Sequence, residues 1–233
     1  MQSIAYTSIG CRPTNQDSYY AQGSLFIVCD GVGGLPYGEV ASKLACSSIS
    51  DYFKSSPSAL YNGNYLSKAL QYTIQQFQET ENRYPELKNM ATTVVLIAFD
   101  SNSAIIAWLG DSRLYHIRNN QILFVTEDHS LVNDLRKQGN TDEEELKSIR
   151  NFITNSLSTK TKGDFSLHNI SKKEILTGDF FFLCTDGVLE NITEEKINAI
   201  FSPELSLNEI RANLINDCEG KTNDNFTFQI IHT

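Results

Sequence analysis

The amino-acid sequence predicts an α+β fold in which antiparallel sheets are flanked by helices. Three observations carry this prediction. Strand-like and helix-like segments fall in separate blocks, consecutive strand candidates are joined by short turn-forming stretches, and each long helical segment has one apolar face. With 233 residues the chain can bury a sizeable core without covalent or metal staples.

In chain order, Ser18 to Gln22 and Leu25 to Cys29 are strand candidates joined near Gly23-Ser24. Tyr37 to Lys54 places Val40, Ala41, Leu44, Ala45, Ile49, Tyr52 and Phe53 at helical spacing, and Asn64 to Asn82 does the same with Leu66, Ala69, Leu70, Thr73 and Phe77. Ala91 to Phe99, Ala104 to Trp108, Leu114 to Arg118 and Ile122 to Val125 follow as four strand candidates, expected to form an antiparallel meander. Leu131 to Arg150 is polar and helix-prone; its run Asp142-Glu143-Glu144-Glu145 is the composition of a solvated helix face. After further strands, Leu207, Ile210, Leu214 and Cys218 mark a third amphipathic helix, and Phe226 to Ile231 a last strand. No linker or low-complexity tract divides the chain, so residues 1–233 are expected to form a single domain.

Composition excludes several functions. With 19 Lys+Arg against 28 Asp+Glu the net charge is -9, which repels a phosphate backbone and argues against nucleic-acid binding. The five cysteines, Cys11, Cys29, Cys46, Cys184 and Cys218, are odd in number and widely spaced, as in a reduced cytoplasmic protein. No basic, apolar leader opens the chain, and no stretch approaches the roughly 18 apolar residues that span a bilayer. His116, His129, His168 and His232 are too scattered for a zinc site. His129 and Trp108 read as structural residues.

Aspartate remains. Two apolar runs, Leu25 to Cys29 and Phe180 to Cys184, lead to Asp30-Gly31 and to Thr185-Asp186-Gly187. Asp-Gly is a common hairpin turn, yet a buried strand that ends in a carboxylate also presents that carboxylate rigidly. Asp17, Asp111 and Asp224 lie in similar contexts, among small or turn-forming residues at expected strand edges. For Asp111 a turn cap paired with Arg113 is the alternative. If these carboxylates converge, their mutual repulsion calls for a hard divalent cation, and an oxygen-only donor set selects Mg2+ or Mn2+.

Seven segments in order, Arg12-Pro13-Thr14-Asn15-Gln16-Asp17, Asp30-Gly31-Val32-Gly33-Gly34, Thr92-Thr93, Gly110-Asp111-Ser112-Arg113-Leu114-Tyr115, Thr126-Glu127-Asp128-His129-Ser130, Thr185-Asp186-Gly187 and Asp224-Asn225-Phe226-Thr227, together resemble the signatures of the PPM family. These are metal-dependent Ser/Thr protein phosphatases, also called type 2C, and the chain is most similar to the compact bacterial branch. The resemblance implies a four-layer α-β-β-α sandwich, two antiparallel sheets flanked by helix pairs, with a flap around 131–160.

It also implies hydrolysis of phosphoserine and phosphothreonine in proteins by a water or hydroxide bridging two Mn2+ or Mg2+ ions. In that scheme Asp30 bridges both ions and the Gly31 carbonyl ligates one; Asp186 and Asp224 complete one shell and Asp17 supports the other. Arg12 grips the substrate phosphate. Asp111 and Asp186, with Glu190 nearby, would hold a third ion. The implied partners are phosphorylated proteins and an opposing Ser/Thr kinase, with no nucleic acid or membrane, and the protein is expected to act as a cytoplasmic monomer.

Four positions depart from the family pattern. Gln16 replaces the usual glutamate, which removes a charge near the ions, and Val32 stands where some members place a histidine. Leaving-group protonation would then fall to a metal-bound water. In the segment Asn151 to Ser158, Asn155 and Ser158 stand where arginine and glycine are frequent. A catalytically silent phosphoprotein-binding module of the same fold is the rival reading, as is action on another phosphate ester or on one dedicated regulator such as an anti-sigma antagonist. The presence of Asp17, Asp30, Asp186 and Asp224 together favours the enzyme.

Overall fold

A computed structural model of the chain describes residues 1–149 and 152–233, with Glu145 described by its backbone alone. Its strands are β1 (Gln2–Ser8), β2 (Asp17–Gln22), β3 (Leu25–Asp30), β4 (Val94–Phe99), β5 (Ser103–Leu109), β6 (Arg113–Arg118), β7 (Gln121–Val125), β8 (Ser166–Ser171), β9 (Phe180–Cys184) and β10 (Phe226–His232). The helices are α1 (Gly38–Ser55), α2 (Gly63–Arg83), α3 (Leu131–Lys137), α4 (Glu143–Ser148), α5 (Asp186–Leu189), α6 (Glu194–Ile200) and α7 (Leu207–Cys218). Two five-stranded antiparallel sheets result, ordered β1-β10-β9-β6-β7 and β2-β3-β4-β5-β8.

Strand alternation sorts the core into three slabs, because successive side chains point to opposite faces. Leu25, Ile27 and Cys29 of β3, with Val94, Leu96 and Ala98 of β4, pack against Ala45, Ile49, Leu70 and Phe77 of α1 and α2. Phe26, Val28, Val95 and Ile97, from the same strands, meet Leu114, Phe181, Leu183 and Ile231 of the other sheet. Phe180, Phe182 and Phe228 on that sheet's outer face cover Ile197, Ile210 and Leu214 of α6 and α7. The order is therefore helix pair, sheet, sheet, helix pair, as expected.

One expectation is corrected. The four candidates between 91 and 125 do not form one meander: β4 and β5 pair in one sheet, β6 and β7 in the other, and β5 instead pairs with β8. The chain changes sheets at Gly110-Asp111-Ser112, where Gly110 has φ +105, a conformation that favours glycine. A Cβ there would also come within 2.6 Å of Thr93, so the crossing is packed tightly onto β4's approach. β1, α5 and α6 arise where no element was expected. β1 is an edge strand with only Ile4 and Tyr6 packed onto the outer slab, so its apolar signal is thin.

The polar stretch after Ser130 forms two short helices. The Ser130 side chain caps α3, and Asp142 accepts the Glu144 N–H at the start of α4. Asp142, Glu143 and Glu144 are exposed, in keeping with a solvated face. Arg150 and Asn151, the end of that stretch and the start of the next motif, lie outside the described residues. Four cysteines are buried in the core and Cys11 is exposed, all as free thiols.

Candidate active site

The two-residue connection between β2 and β3 sets their register and places Asp17 directly opposite Asp30. Like charges in that position repel. Asp30 is fixed by its own backbone: its N–H donates to Thr93 Oγ1 (3.1 Å) and its carbonyl accepts from Thr93 N (2.7 Å) and Thr92 Oγ1 (2.7 Å). Gly31 is required sterically, since a Cβ would stand 2.5 Å from the Gly38 backbone at the start of α1. Asp186, the first residue of α5, is delivered by β9 from the second sheet. The Thr185 hydroxyl beside it donates to Asp17 Oδ2 (3.0 Å) and accepts the Thr227 N–H (3.0 Å), bolting the two sheets together under the carboxylates.

These residues open into a cavity of about 560 Å³ at one end of the sandwich. Arg12, Asp30, Gly31, Asp111, Asp186 and Asp224 all line it, and Asp17 lies buried behind Asp30. The predicted site residues are thus brought together from five separate segments. Glu190 is not on the wall; its carboxylate accepts the Asn223 N–H (2.8 Å) beside Asp224. Phe152 and Ile153, which follow the two undescribed residues, form an apolar wall, and Phe152 is 60% exposed.

The electrostatics are those of crowded anions. Burial pushes the Asp17 carboxyl up to about 7, against hydrogen bonds from Thr227 and Thr185 that favour its charge. Burial, then Asp17 and Asp186, hold Asp30 well above the ordinary carboxylate range. Asp186 is also raised, by burial and by Asp224 and Glu190. Asp111 is pushed up to about 7 by burial, Asp186 and Asp128. Arg113 does not cap it: the guanidinium forms a two-point pair with Asp128 (2.7 and 2.6 Å). The pairing of Asp111 with Arg113 is therefore not made, and Asp111 lines the cavity.

This donor set fits a hard divalent cation. It consists of oxygen atoms alone, several carboxyls resist ionisation for want of positive charge, and the buried Asp17 Oδ1 has no hydrogen-bond partner. Among the described residues no three carboxylate, imidazole or thiol side chains close into a ready-made metal cluster. An open arrangement of this kind suits Mg2+ or Mn2+, which retain several waters. Asp224 is turned to Arg12, whose Nε and Nη2 reach its two oxygens at 3.0 and 2.7 Å.

Gln16 lines the cavity and donates from Nε2 to Glu39 Oε2 (3.5 Å) in the first turn of α1. Restoring a glutamate with Gln16→Glu would set two carboxylates against each other. The variant is expected to melt at a lower temperature without metal and to gain more than wild type from added Mn2+. Equal Mn2+-induced shifts by calorimetry would show that position 16 does not sense the ions.

His129 and Trp108 are structural, as the sequence suggests, whereas the supporting roles of Thr93, Ser112 and Thr185 were not anticipated. His129 Nδ1 accepts the Gly110 N–H (3.1 Å), its Nε2 meets Ser166 Oγ (2.9 Å), and its ring stacks on Trp108, so it braces the turn that carries Asp111. Thr93 and Ser112 share a hydrogen bond of 2.6 Å beneath Asp30 and Asp111. The available signal was that Ser112, Thr185 and Asn225 adjoin aspartates within the motifs and that Thr92-Thr93 forms a motif of its own.

Comparison with known proteins agrees with this arrangement. The family model described as Protein phosphatase 2C matches residues 12–214. The serine/threonine phosphatase stp of Listeria monocytogenes is 31% identical over 191 residues, covering 79% of this chain and 74% of that protein. Serine/threonine phosphatase Stp1 from Staphylococcus aureus superposes with a TM-score of 0.87 at 27% identity, covering 100% of this chain and 94% of its own. The catalytic domain of the phosphatase PstP, solved with two manganese ions, superposes with a TM-score of 0.83 at 27% identity, covering 98% and 96%. A family match running from the Arg12 loop into α7, on a sandwich that gathers the predicted carboxylates in one cavity, means that the chain belongs to the protein phosphatase 2C family of Ser/Thr protein phosphatases.

Proposed function

We propose that this phosphatase hydrolyses phosphoserine and phosphothreonine in proteins with two Mn2+ or Mg2+ ions held by Asp17, Asp30, the Gly31 carbonyl, Asp186 and Asp224. Asp111, which lines the same cavity as Asp186, would hold a third ion. The convergence of Asp30 and Asp186, with an unpartnered buried oxygen on Asp17 behind them, supports this reading best. Ions held there would supply Lewis-acid stabilisation of the phosphoryl group and lower the pKa of a bound water so that hydroxide is available as nucleophile.

The chain's own residues do the rest. Arg12 offers a planar donor fork at the cavity mouth, where it can bind phosphate oxygens in two-point fashion and orient the ester. Thr93, Thr185 and the Asp30 backbone bonds hold the carboxylates in place before substrate arrives, which limits reorganisation during the reaction. Gly33 and Gly34 bring only backbone to the rim, leaving room for a peptide. The wall contributed by 152–153 belongs to the segment 131–160, which we take as a flap of a single domain covering 1–233. The substrates are phosphoproteins made by a Ser/Thr kinase. We take the protein to act as a cytoplasmic monomer; its five cysteines are free thiols, and among the described residues no helix is long and apolar enough to cross a membrane.

Phosphate release from a phosphothreonine peptide and from p-nitrophenyl phosphate is expected only with added Mn2+ or Mg2+, to vanish with EDTA and to return with excess Mn2+. Turnover that survives EDTA would refute the metal-dependent mechanism. Full metal binding without turnover on a phosphopeptide panel would instead identify the silent binding module.

A further inference from the structure

The Asn225 side chain joins the loop that carries Arg12 to the loop that carries Asp224. Its Nδ2 donates to the carbonyls of Ile9 (2.8 Å) and Thr14 (3.0 Å), and its Oδ1 accepts the Gln16 N–H (2.8 Å). One buried carboxamide thus clasps both ends of the segment 9–16, with Arg12 between the clasped points. Both amide hydrogens and the carbonyl oxygen are used, a pattern that only a carboxamide satisfies. Aspartate would turn an acceptor toward two carbonyls, and serine would not span them.

The clasp is also tied to the carboxylates. The Asn225 N–H donates to Asp224 Oδ1 (2.8 Å), and Asp224 holds Arg12 in its two-point pair. Two glycines allow the three segments to touch. A Cβ at Gly10 would lie 2.0 Å from the Asp224 carbonyl oxygen, and one at Gly187 would lie 2.0 Å from that of Asn225. Arg12 itself is more than half exposed along its side chain and, among the described residues, its side-chain hydrogen bonds go to Asp224. Its placement therefore depends on the backbone beneath it.

We propose that Asn225 is a positioning residue for phosphate recognition, holding the Arg12 loop in register with the Asp186 and Asp224 loops. The proposal rests on the assignment of Arg12 as the phosphate ligand. Releasing the clasp lets residues 9–16 shift, and a displacement of about 1 Å at a substrate-orienting group costs up to about a hundredfold.

The test measures KM for p-nitrophenyl phosphate, the inhibition constant of inorganic phosphate and kcat, at saturating Mn2+, for wild type, Asn225→Ser, Arg12→Ala and the double variant. Asn225→Ser is expected to raise KM and the phosphate inhibition constant about tenfold, with kcat changed less than about threefold. In the Arg12→Ala background the same change should have almost no further effect, because the group being positioned is gone. In the metal-free protein the Gln16 amide should exchange with deuterium faster in Asn225→Ser. If Asn225→Ser does not fold, Asn225→Asp, which keeps the Gln16 bond and the side-chain volume, takes its place in the same cycle.

Additive effects of the two substitutions, or a loss of kcat with phosphate inhibition unchanged, would overturn the proposal and point to Asp224 as the affected group. An unchanged phosphate inhibition constant in Arg12→Ala alone would overturn the Arg12 assignment first, and the positioning role with it.

Discussion

Asp30→Asn is expected to abolish phosphatase activity while leaving the metal-free protein as stable as wild type or more so. The substitution is isosteric and sits at the end of a strand whose backbone bonds to Thr92 and Thr93 are untouched. It removes one of three crowded anions, since Asp17 lies directly opposite and Asp186 is a close electrostatic neighbour. Without metal, burying these carboxyls opposes folding at neutral pH, whether they stay charged or must take up protons, so removing one should hold or raise the melting temperature, the usual relation between a strained site and stability. Removing groups that merely orient a metal ligand typically costs 10 to 100-fold. Losing the carboxylate proposed to touch both ions should therefore cost more than about 100-fold in kcat/KM, or about 2.7 kcal/mol of transition-state stabilisation. The stabilisation that Mn2+ confers by binding the folded state should shrink in parallel. Activity within tenfold of wild type, with the Mn2+-induced melting shift intact, would remove Asp30 from the metal site.

Much of this site could be anticipated by counting along the chain. A two-residue connection at Gly23-Ser24 pairs Gln22 with Leu25, and stepping outward from that pair brings Asp17 opposite Asp30. The apolar runs before Asp30 and Asp186 became central strands of different sheets, and neither Asp-Gly is a hairpin turn: Asp30 ends β3 and Asp186 opens α5 just after β9. The two helix pairs followed from spacing alone only in part: α1, α2 and α7 carry clear apolar stripes, whereas the seven-residue α6 is too short for a periodic signal.

What could not be anticipated is tertiary. Pattern reasoning joins neighbouring strands into one meander, but between β5 and β6 the chain leaves one sheet for the other. That step is set by the fit of Gly110 against Thr93 and His129, which only the folded chain provides. The same crossing carries Asp111 to the cavity and leaves Arg113 free for Asp128. Arg12 and Asp224 are separated by 212 positions, so their pairing is visible only once β1 and β10 lie side by side. Local sequence therefore specified which carboxylates end strands, and packing between the sheets specified which of them meet.

At the opposite end of β9 from Asp186, Asp179→Ala is expected to produce the largest loss of stability with no loss of intrinsic activity. Asp179 is fully buried and its carboxylate takes Arg118 Nε (2.6 Å) and Nη2 (2.8 Å), His116 Nε2 (2.9 Å) and the Leu176 N–H (2.9 Å). Burial pushes this carboxyl up, but the Arg118, Leu176 and His116 hydrogen bonds outweigh it and hold the carboxyl below its ordinary value. Alanine would leave the buried His116 imidazole and the Leu176 N–H without this acceptor and leave the partly exposed Arg118 with the Glu174 carbonyl, and breaking a buried pair by removing one partner costs about 3–5 kcal/mol. That is a large share of the roughly 5–15 kcal/mol that holds a typical domain together. Because the folded carboxyl titrates lower than the unfolded one, its contribution is present at neutral pH and disappears as pH falls through the folded value. Wild type should therefore lose stability on acidification faster than Asp179→Asn, which has no carboxyl to protonate. Seven residue steps, about 23 Å of extended chain, separate Asp179 from Asp186, so turnover per folded molecule should match wild type at low temperature. Urea titrations at neutral and acid pH provide the measurement; a loss below about 1 kcal/mol for Asp179→Ala, or the same acid dependence in Asp179→Asn, would show that this network does not anchor the sheet.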